Sequence, residues 1–201
     1  MHPNPHPLTP DHETIGDVRN QAKRRARTVE NVILIDEADR IIGFQEKLAA
    51  HRNGGSLHRA FSIFIFNSSG EMLLQERSRQ KYHFGGLWAN ACCGHPRPGE
   101  HLHAAAHRRL VEELGFDTTL RTALSFLYVA DDPASGLTER ELDHVLIGEF
   151  DGTFMPNPNE VDSVRWVTTD EILRELRRNG DCYAPWFHEA VTRLESLSQL
   201  P

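Results

Sequence analysis

The chain has 201 residues, enough for one well-packed catalytic domain, and its 39% hydrophobic and 25% charged residues are ordinary for a globular protein. Its longest near-apolar run, residues 60–66, is far too short to span a bilayer, so no integral membrane contact is expected. A formal charge of -7 argues against non-specific nucleic-acid binding and means that an anionic substrate needs a local basic cluster or metal ions.

Residues 1–28 read as a solvated tail, Pro-rich and polar at first, then basic through Arg19, Lys23, Arg24, Arg25 and Arg27. They lack the apolar core of a secretory signal. Cys92, Cys93 and Cys182 form no even-numbered disulfide framework, and a reducing, cytoplasmic setting is expected.

The folded domain is expected over 29–201, opening with the hairpin VILID, EADR, IIGF. The second pair, AFSIFIF and MLLQE around the turn NSSGE, is apolar enough for central strands buried on both faces. After the Gly85-Gly86 turn, Leu102, Ala106, Leu110 and Leu114 recur at steps of four, which predicts a helix from Glu100 to Leu114 closed by Gly115. Strands are predicted at Leu124 to Val129, Glu139 to Phe150 and Ser163 to Val167, then helices at Asp170 to Arg178 and Pro185 to Leu197. Strands and helices mix without a strict βαβ alternation, so the fold class is α+β, an αβα sandwich with a mixed sheet.

The segment GHPRPGEHLHAAAHRRLVEELGF, residues 94–116, sets Glu100, Arg108 and the pair Glu112-Glu113 at spacings that resemble the Nudix box. In that family a loop-helix-loop holds a diphosphate through divalent metals, and carboxylates on one helix face suit hard cations such as Mg²⁺. The chain departs from the pattern at Arg109, where the family has a glutamate used in hydrolysis. Arg109 and Glu113 are four residues apart and share a helix face, so the arginine orients Glu113, places positive charge beside a phosphate, or forms a plain surface ion pair.

His51, His58 and His95 would each be unremarkable alone. Glu139 and Glu141, at i and i+2 on a predicted strand, point to the same face and change that reading. Three imidazoles and two carboxylates suit Mn²⁺, Zn²⁺ or Fe²⁺, among which ligand softness does not choose. With EKLAAH, LHRAF, ANACCGHP, RRLVEELG, TERELDHV and YAPWF in order, the chain from Val29 onward resembles type 1 isopentenyl-diphosphate isomerases.

That resemblance implies that His51, His58, His95, Glu139 and Glu141 bind one divalent metal, Mn²⁺ or Zn²⁺. It implies that Glu113 and the carbonyl of Cys93 hold a Mg²⁺ completed by the substrate diphosphate, with Lys47, Arg77, Lys81 and Arg109 supplying positive charge. The Cys-Gly-His spacing selects Cys93 over Cys92. Cys93 and Glu141, assisted by Tyr128, would carry the protons, and Trp186 would face a carbocation-like centre. The small isoprenyl diphosphate is the implied partner; the oligomeric state stays open. A cysteine's ordinary pKa of about 8.5 allows both thiol and thiolate roles. A Nudix pyrophosphohydrolase and a non-catalytic binding module are the competing readings. Arg109, the Cys93-Gly-His95 segment and the Glu139/Glu141 pair speak against the first, and the second has little reason to combine Cys93, Glu141 and Trp186.

Overall fold

A computed structural model describes residues 30–201. The tail expected over 1–28, with its basic stretch, lies outside the described residues. The strands are β1 (Asn31–Ile35), β2 (Ile41–Glu46), β3 (His58–Phe66), β4 (Glu71–Arg77), β5 (Trp88–Asn90), β6 (Cys92–Gly94), β7 (Leu120–Asp132), β8 (Leu137–Glu149) and β9 (Val161–Thr168). The helices are α1 (Lys47–Ala50), α2 (Leu102–Leu114), α3 (Thr169–Asn179) and α4 (Pro185–Ser196), with a short 3-10 turn at Gly180–Cys182.

The strands form one mixed sheet in which β3 and β8 run parallel while the other paired strands are antiparallel. Strand alternation divides its apolar residues between two cores. Phe64 and Phe66 of β3 and Met72 and Leu74 of β4 pack with Ile172 of α3 and Phe187, Ala190 and Leu194 of α4. Phe61, Ile63, Ile65 and Leu73 face the other way, onto Ala105, Ala106, Leu110 and Leu114 of α2. The sheet therefore lies between helices on both sides, the αβα arrangement expected from sequence, and β3 is buried along nearly its whole length.

Local chemistry fixes the boundaries. Asp36 accepts backbone hydrogen bonds from Ala38 and Arg40, both at 3.0 Å, closing the β1–β2 turn. Gly115 ends α2 in the left-handed region at φ 76°, and a Cβ there would meet the Met155 carbonyl oxygen at 3.0 Å. Thr168 caps α3, its hydroxyl accepting from the Glu171 N–H.

The structure extends β7 well beyond the predicted Leu124 to Val129, because pairing with β8 continues through the polar Asp131 and Asp132. The three-residue strands β5 and β6 and the four-residue α1 were not predicted. Elements so short carry no periodicity of their own.

Candidate active site

β8 carries Glu139, Glu141 and Asp143 on alternate positions and hence one face. Its register with β3 sets His58 opposite Glu141, and its register with β7 sets Tyr128 opposite the same residue. His51 caps α1 and His95 follows β6, bringing two more imidazoles to this patch.

The Nδ1–H of His51 donates to the Lys47 carbonyl at 2.6 Å and that of His58 to the Ser56 carbonyl at 2.8 Å. Each ring thus turns its Nε2 inward, toward the two carboxylates. His51 Nε2 lies 2.8 Å from Glu139 Oε2, His58 Nε2 3.2 Å from Glu141 Oε1, and His95 Nε2 2.7 Å from Glu141 Oε1. One ligand atom from each of the five residues lies within 4.8 Å of all the others.

The donors fit a metal ion. His51 Nε2, His58 Nε2 and Glu139 Oε2 are buried without an aligned hydrogen-bond partner. Among the described residues, no lysine or arginine pairs with the two carboxylates within 4 Å; their basic neighbours are histidines. Two buried anions so placed carry a desolvation cost of several kcal/mol each, which a divalent cation would offset. Burial and the charge of Glu139 push the Glu141 pKa up, but the imidazoles of His58 and His95 outweigh them and hold it below the usual carboxylate range.

A cleft of about 230 Å³ opens onto this cluster. Of the thirteen site residues predicted from sequence, all but His51 and His58 line it; those two are fully buried. Cys93, Tyr128 and Glu141 reach the same space. The hydroxyl of Tyr128 donates to Glu141 Oε2. Burial pushes the Cys93 thiol up to about 12, with the charge of Asp143 adding to the shift, so at neutral pH it holds its proton rather than lying near the ordinary value.

The basic residues occupy the cleft in unequal states. Lys81 lies 2.7 Å from Glu160 and 3.5 Å from Glu113, and Arg109 pairs with Glu113, Glu112 and Glu160. Arg109 and Glu113 thus meet in an ion pair, as their helical spacing allows. Gln75 Nε2 donates to the other oxygen of Glu113 at 3.1 Å. Lys47 lies 3.3 Å from Glu30. Arg77 is buried, its Nε and Nη2 donating to the carbonyls of Phe84 at 3.1 Å and His83 at 3.2 Å, while its guanidinium lies 4.9 Å from the Trp186 ring centroid.

Several contributors went unread in the sequence. The Oδ1 of buried Asn90 accepts from Cys93 Sγ at 3.3 Å and from Trp186 Nε1 at 3.2 Å, while its Nδ2 donates to the carbonyls of Ile63 and Cys92. Ser62 Oγ lies 3.6 Å from Cys93 Sγ and donates to Asp143 Oδ2 at 2.7 Å. His83 contacts Glu139, and Glu160 joins Lys81 and Arg109. The only sequence signals for these were Asn90 in NACCGHP and the continued alternation from Glu141 to Asp143. Phe84 adopts φ 49°, a left-handed conformation that costs about 1–3 kcal/mol for a non-glycine residue. Its N–H donates to Asp132 Oδ2 at 3.0 Å.

The NUDIX domain family model matches residues 56–187. The chain is 46% identical over 171 residues to isopentenyl-diphosphate Delta-isomerase 2 of Aromatoleum aromaticum, covering 85% of this chain and 89% of that protein. It is 48% identical over 160 residues to isopentenyl-diphosphate Delta-isomerase of Nocardia farcinica, covering 80% and 91% respectively. Among solved structures, DR0079 from Deinococcus radiodurans superposes with a TM-score of 0.67 at 23% identity, over 82% of this chain and 98% of that one, a likeness of fold.

Proposed function

This chain belongs to the isopentenyl-diphosphate Delta-isomerases within the Nudix family, and from that premise we propose that Cys93 and the Glu141–Tyr128 pair are its two proton-handling groups. Its reaction interconverts isopentenyl diphosphate and dimethylallyl diphosphate, the step that supplies both isomers to isoprenoid biosynthesis. One proton is added at the terminal alkene carbon and one is removed from the carbon beside the oxygen-bearing one, so substrate and product have the same atoms. The observation that carries the assignment is that Cys93, Tyr128 and Glu141 line one cleft with a basic cluster beside them.

The resting chain has a proton at each end of this pair, on the Cys93 thiol and on the Tyr128 hydroxyl that donates to Glu141. Microscopic reversibility makes the two groups exchange roles in the reverse direction. Lys47, Arg77, Lys81 and Arg109 are the groups proposed to hold the diphosphate. Two of them, Lys81 and Arg109, now pair with Glu113 and Glu160 and would have to share those contacts with an incoming anion.

His51, His58, His95, Glu139 and Glu141 would hold a divalent cation such as Mn²⁺ or Zn²⁺, while the family resemblance gives Glu113 and the Cys93 carbonyl to a Mg²⁺ held with the substrate diphosphate. When bound, these ions supply positive charge that neutralises the diphosphate and fixes the carboxylates. Trp186 presents an aromatic surface to the electron-poor carbon. A desolvated cation–π contact contributes about 2 kcal/mol, or roughly thirtyfold in rate. The fixed carboxylate and the exclusion of water must supply the remainder.

The test is turnover of isopentenyl diphosphate in deuterated water with Mg²⁺, followed by NMR. Dimethylallyl diphosphate carrying solvent deuterium is expected without release of phosphate. Release of phosphate or pyrophosphate in place of the isomer would overturn the reading.

A further inference from the structure

Glu139 is held from two sides. One carboxylate oxygen lies 2.8 Å from His51 Nε2, and the other meets His83 Nε2. His83 lies outside the group of five whose ligand atoms converge, although its ring centroid is only 5.3 Å from that of His51. Its side chain is 8% exposed, and its Nδ1 has no hydrogen-bond partner among the described residues. The Nε2–H can thus be given to Glu139 without competition from a bond at the other nitrogen.

The main chain at the same residue serves another charged group. The carbonyls of His83 and Phe84 accept from Arg77, and the Phe84 N–H is tied to Asp132. The loop between β4 and β5 is therefore anchored on three sides when its imidazole reaches Glu139. A carboxylate contacted on one oxygen only could rotate about its last bond, whereas one contacted on both has its plane fixed.

We infer that His83 is a positioning residue of the metal site: it donates to Glu139 and fixes the orientation in which that carboxylate meets a cation. The inference rests on the metal-site reading given above. Outer groups that orient a ligating carboxylate typically change metal affinity by about 10–100-fold when removed. The backbone carbonyl that holds Arg77 survives any side-chain substitution, so loss of the imidazole should act on the cation and spare the diphosphate.

The test is Mn²⁺ binding to the chelator-stripped full chain without substrate, followed by the electron paramagnetic resonance signal of free Mn²⁺. His83→Ala should weaken binding by roughly 10–100-fold. His83→Gln, whose amide nitrogen can donate to the same oxygen, should recover most of the affinity lost in His83→Ala and stay less than about tenfold from the unmodified chain, short of the roughly 10–100-fold loss of an orienting group. In turnover with Mn²⁺ saturating, the KM for isopentenyl diphosphate should stay unchanged in both variants. Equal affinity in the unmodified chain and His83→Ala overturns the inference, as does a His83→Gln variant no better than His83→Ala. Should His83→Ala lose its cooperative urea transition, His83→Gln decides alone: near-native affinity supports the inference and a loss above about tenfold overturns it. Absence of Mn²⁺ uptake by the unmodified chain overturns the metal-site reading as well, which separates the two failures.

Discussion

At the level of single side chains, the thiol of Cys93 and the indole of Trp186 share one acceptor, the amide oxygen of Asn90. Because the Nδ2 of Asn90 is committed to two main-chain carbonyls, its oxygen can face only the cleft side. Asn90→Ala would strand both carbonyls and both donors. We expect a loss of about 2–4 kcal/mol in urea denaturation, the range for a buried network left unpaired, with a fall in kcat beyond any change in KM. Cys93→Ala would remove the proposed proton carrier and leave the basic cluster intact. It should lower kcat by roughly 10²–10⁴-fold, the usual contribution of a positioned acid or base, and move KM by much less in steady-state assays. These residues differ in legibility. Cys93 was marked by the histidine two positions on and by the family pattern, whereas Asn90 acts by bridging residues from β6 and α4 that only folding brings together.

At the level of elements, the packing of α2 on β6 depends on the absence of a side chain at Gly94. A Cβ there would come within 2.9 Å of Phe61 Cζ and 3.1 Å of Arg109 Cγ. Gly94→Ala should therefore displace α2, with Arg109 and Glu113, at a cost of about 1–3 kcal/mol, as overpacking of a filled interior does. A chemical denaturation curve measures it. The β7–β8 connection depends on Asp132, whose carboxylate accepts from Ser135, Ala134 and Phe84. Burial pushes its pKa up, but these hydrogen bonds outweigh it and hold the group below its ordinary 3.8. The stabilisation is thus complete above that ordinary value and fades as pH falls through the lower folded value. Asp132→Asn should cost about 1–3 kcal/mol at pH 7, as expected for loss of charge-assisted bonds, and the gap between variant and parent should narrow steadily on acidification below about pH 4. A gap independent of pH would contradict the assignment. The long elements were readable because alternation and four-residue steps leave a pattern. The loop between β4 and β5, with Phe84 at positive φ, leaves none: a left-handed phenylalanine has no sequence mark as glycine does.

At the level of the whole molecule, the candidate cation site would draw ligands from both halves of the chain: His51, His58 and His95 precede α2, while Glu139 and Glu141 lie on β8. The five candidate ligands were legible as a set because residue type and i, i+2 spacing put two carboxylates on one strand face. Their partner His83 was not, since it resembles any other histidine until the sheet closes. No helix among the described residues is long and apolar enough to cross a membrane. Removing the metal should leave two buried carboxylates facing each other, so chelation is expected to lower the melting temperature. A ligand present at 100 times its Kd stabilises by about 2.7 kcal/mol, and calorimetry with and without chelator reads the difference. Unchanged melting would mean that no cation is bound there.

The parallel pairing of β3 with β8 gives this arrangement a temporal side. Parallel neighbours cannot be joined by a tight turn, and here α2 and β7 intervene before β8 can dock, so the loop-closure entropy is spent before the pairing is gained. A binding pocket whose halves meet only at that docking has no grip on the ion while the chain is still searching. Mn²⁺ should therefore slow the unfolding limb of a stopped-flow chevron and leave the folding limb where it is. The cation would act as a latch on the finished molecule and give no help in building it.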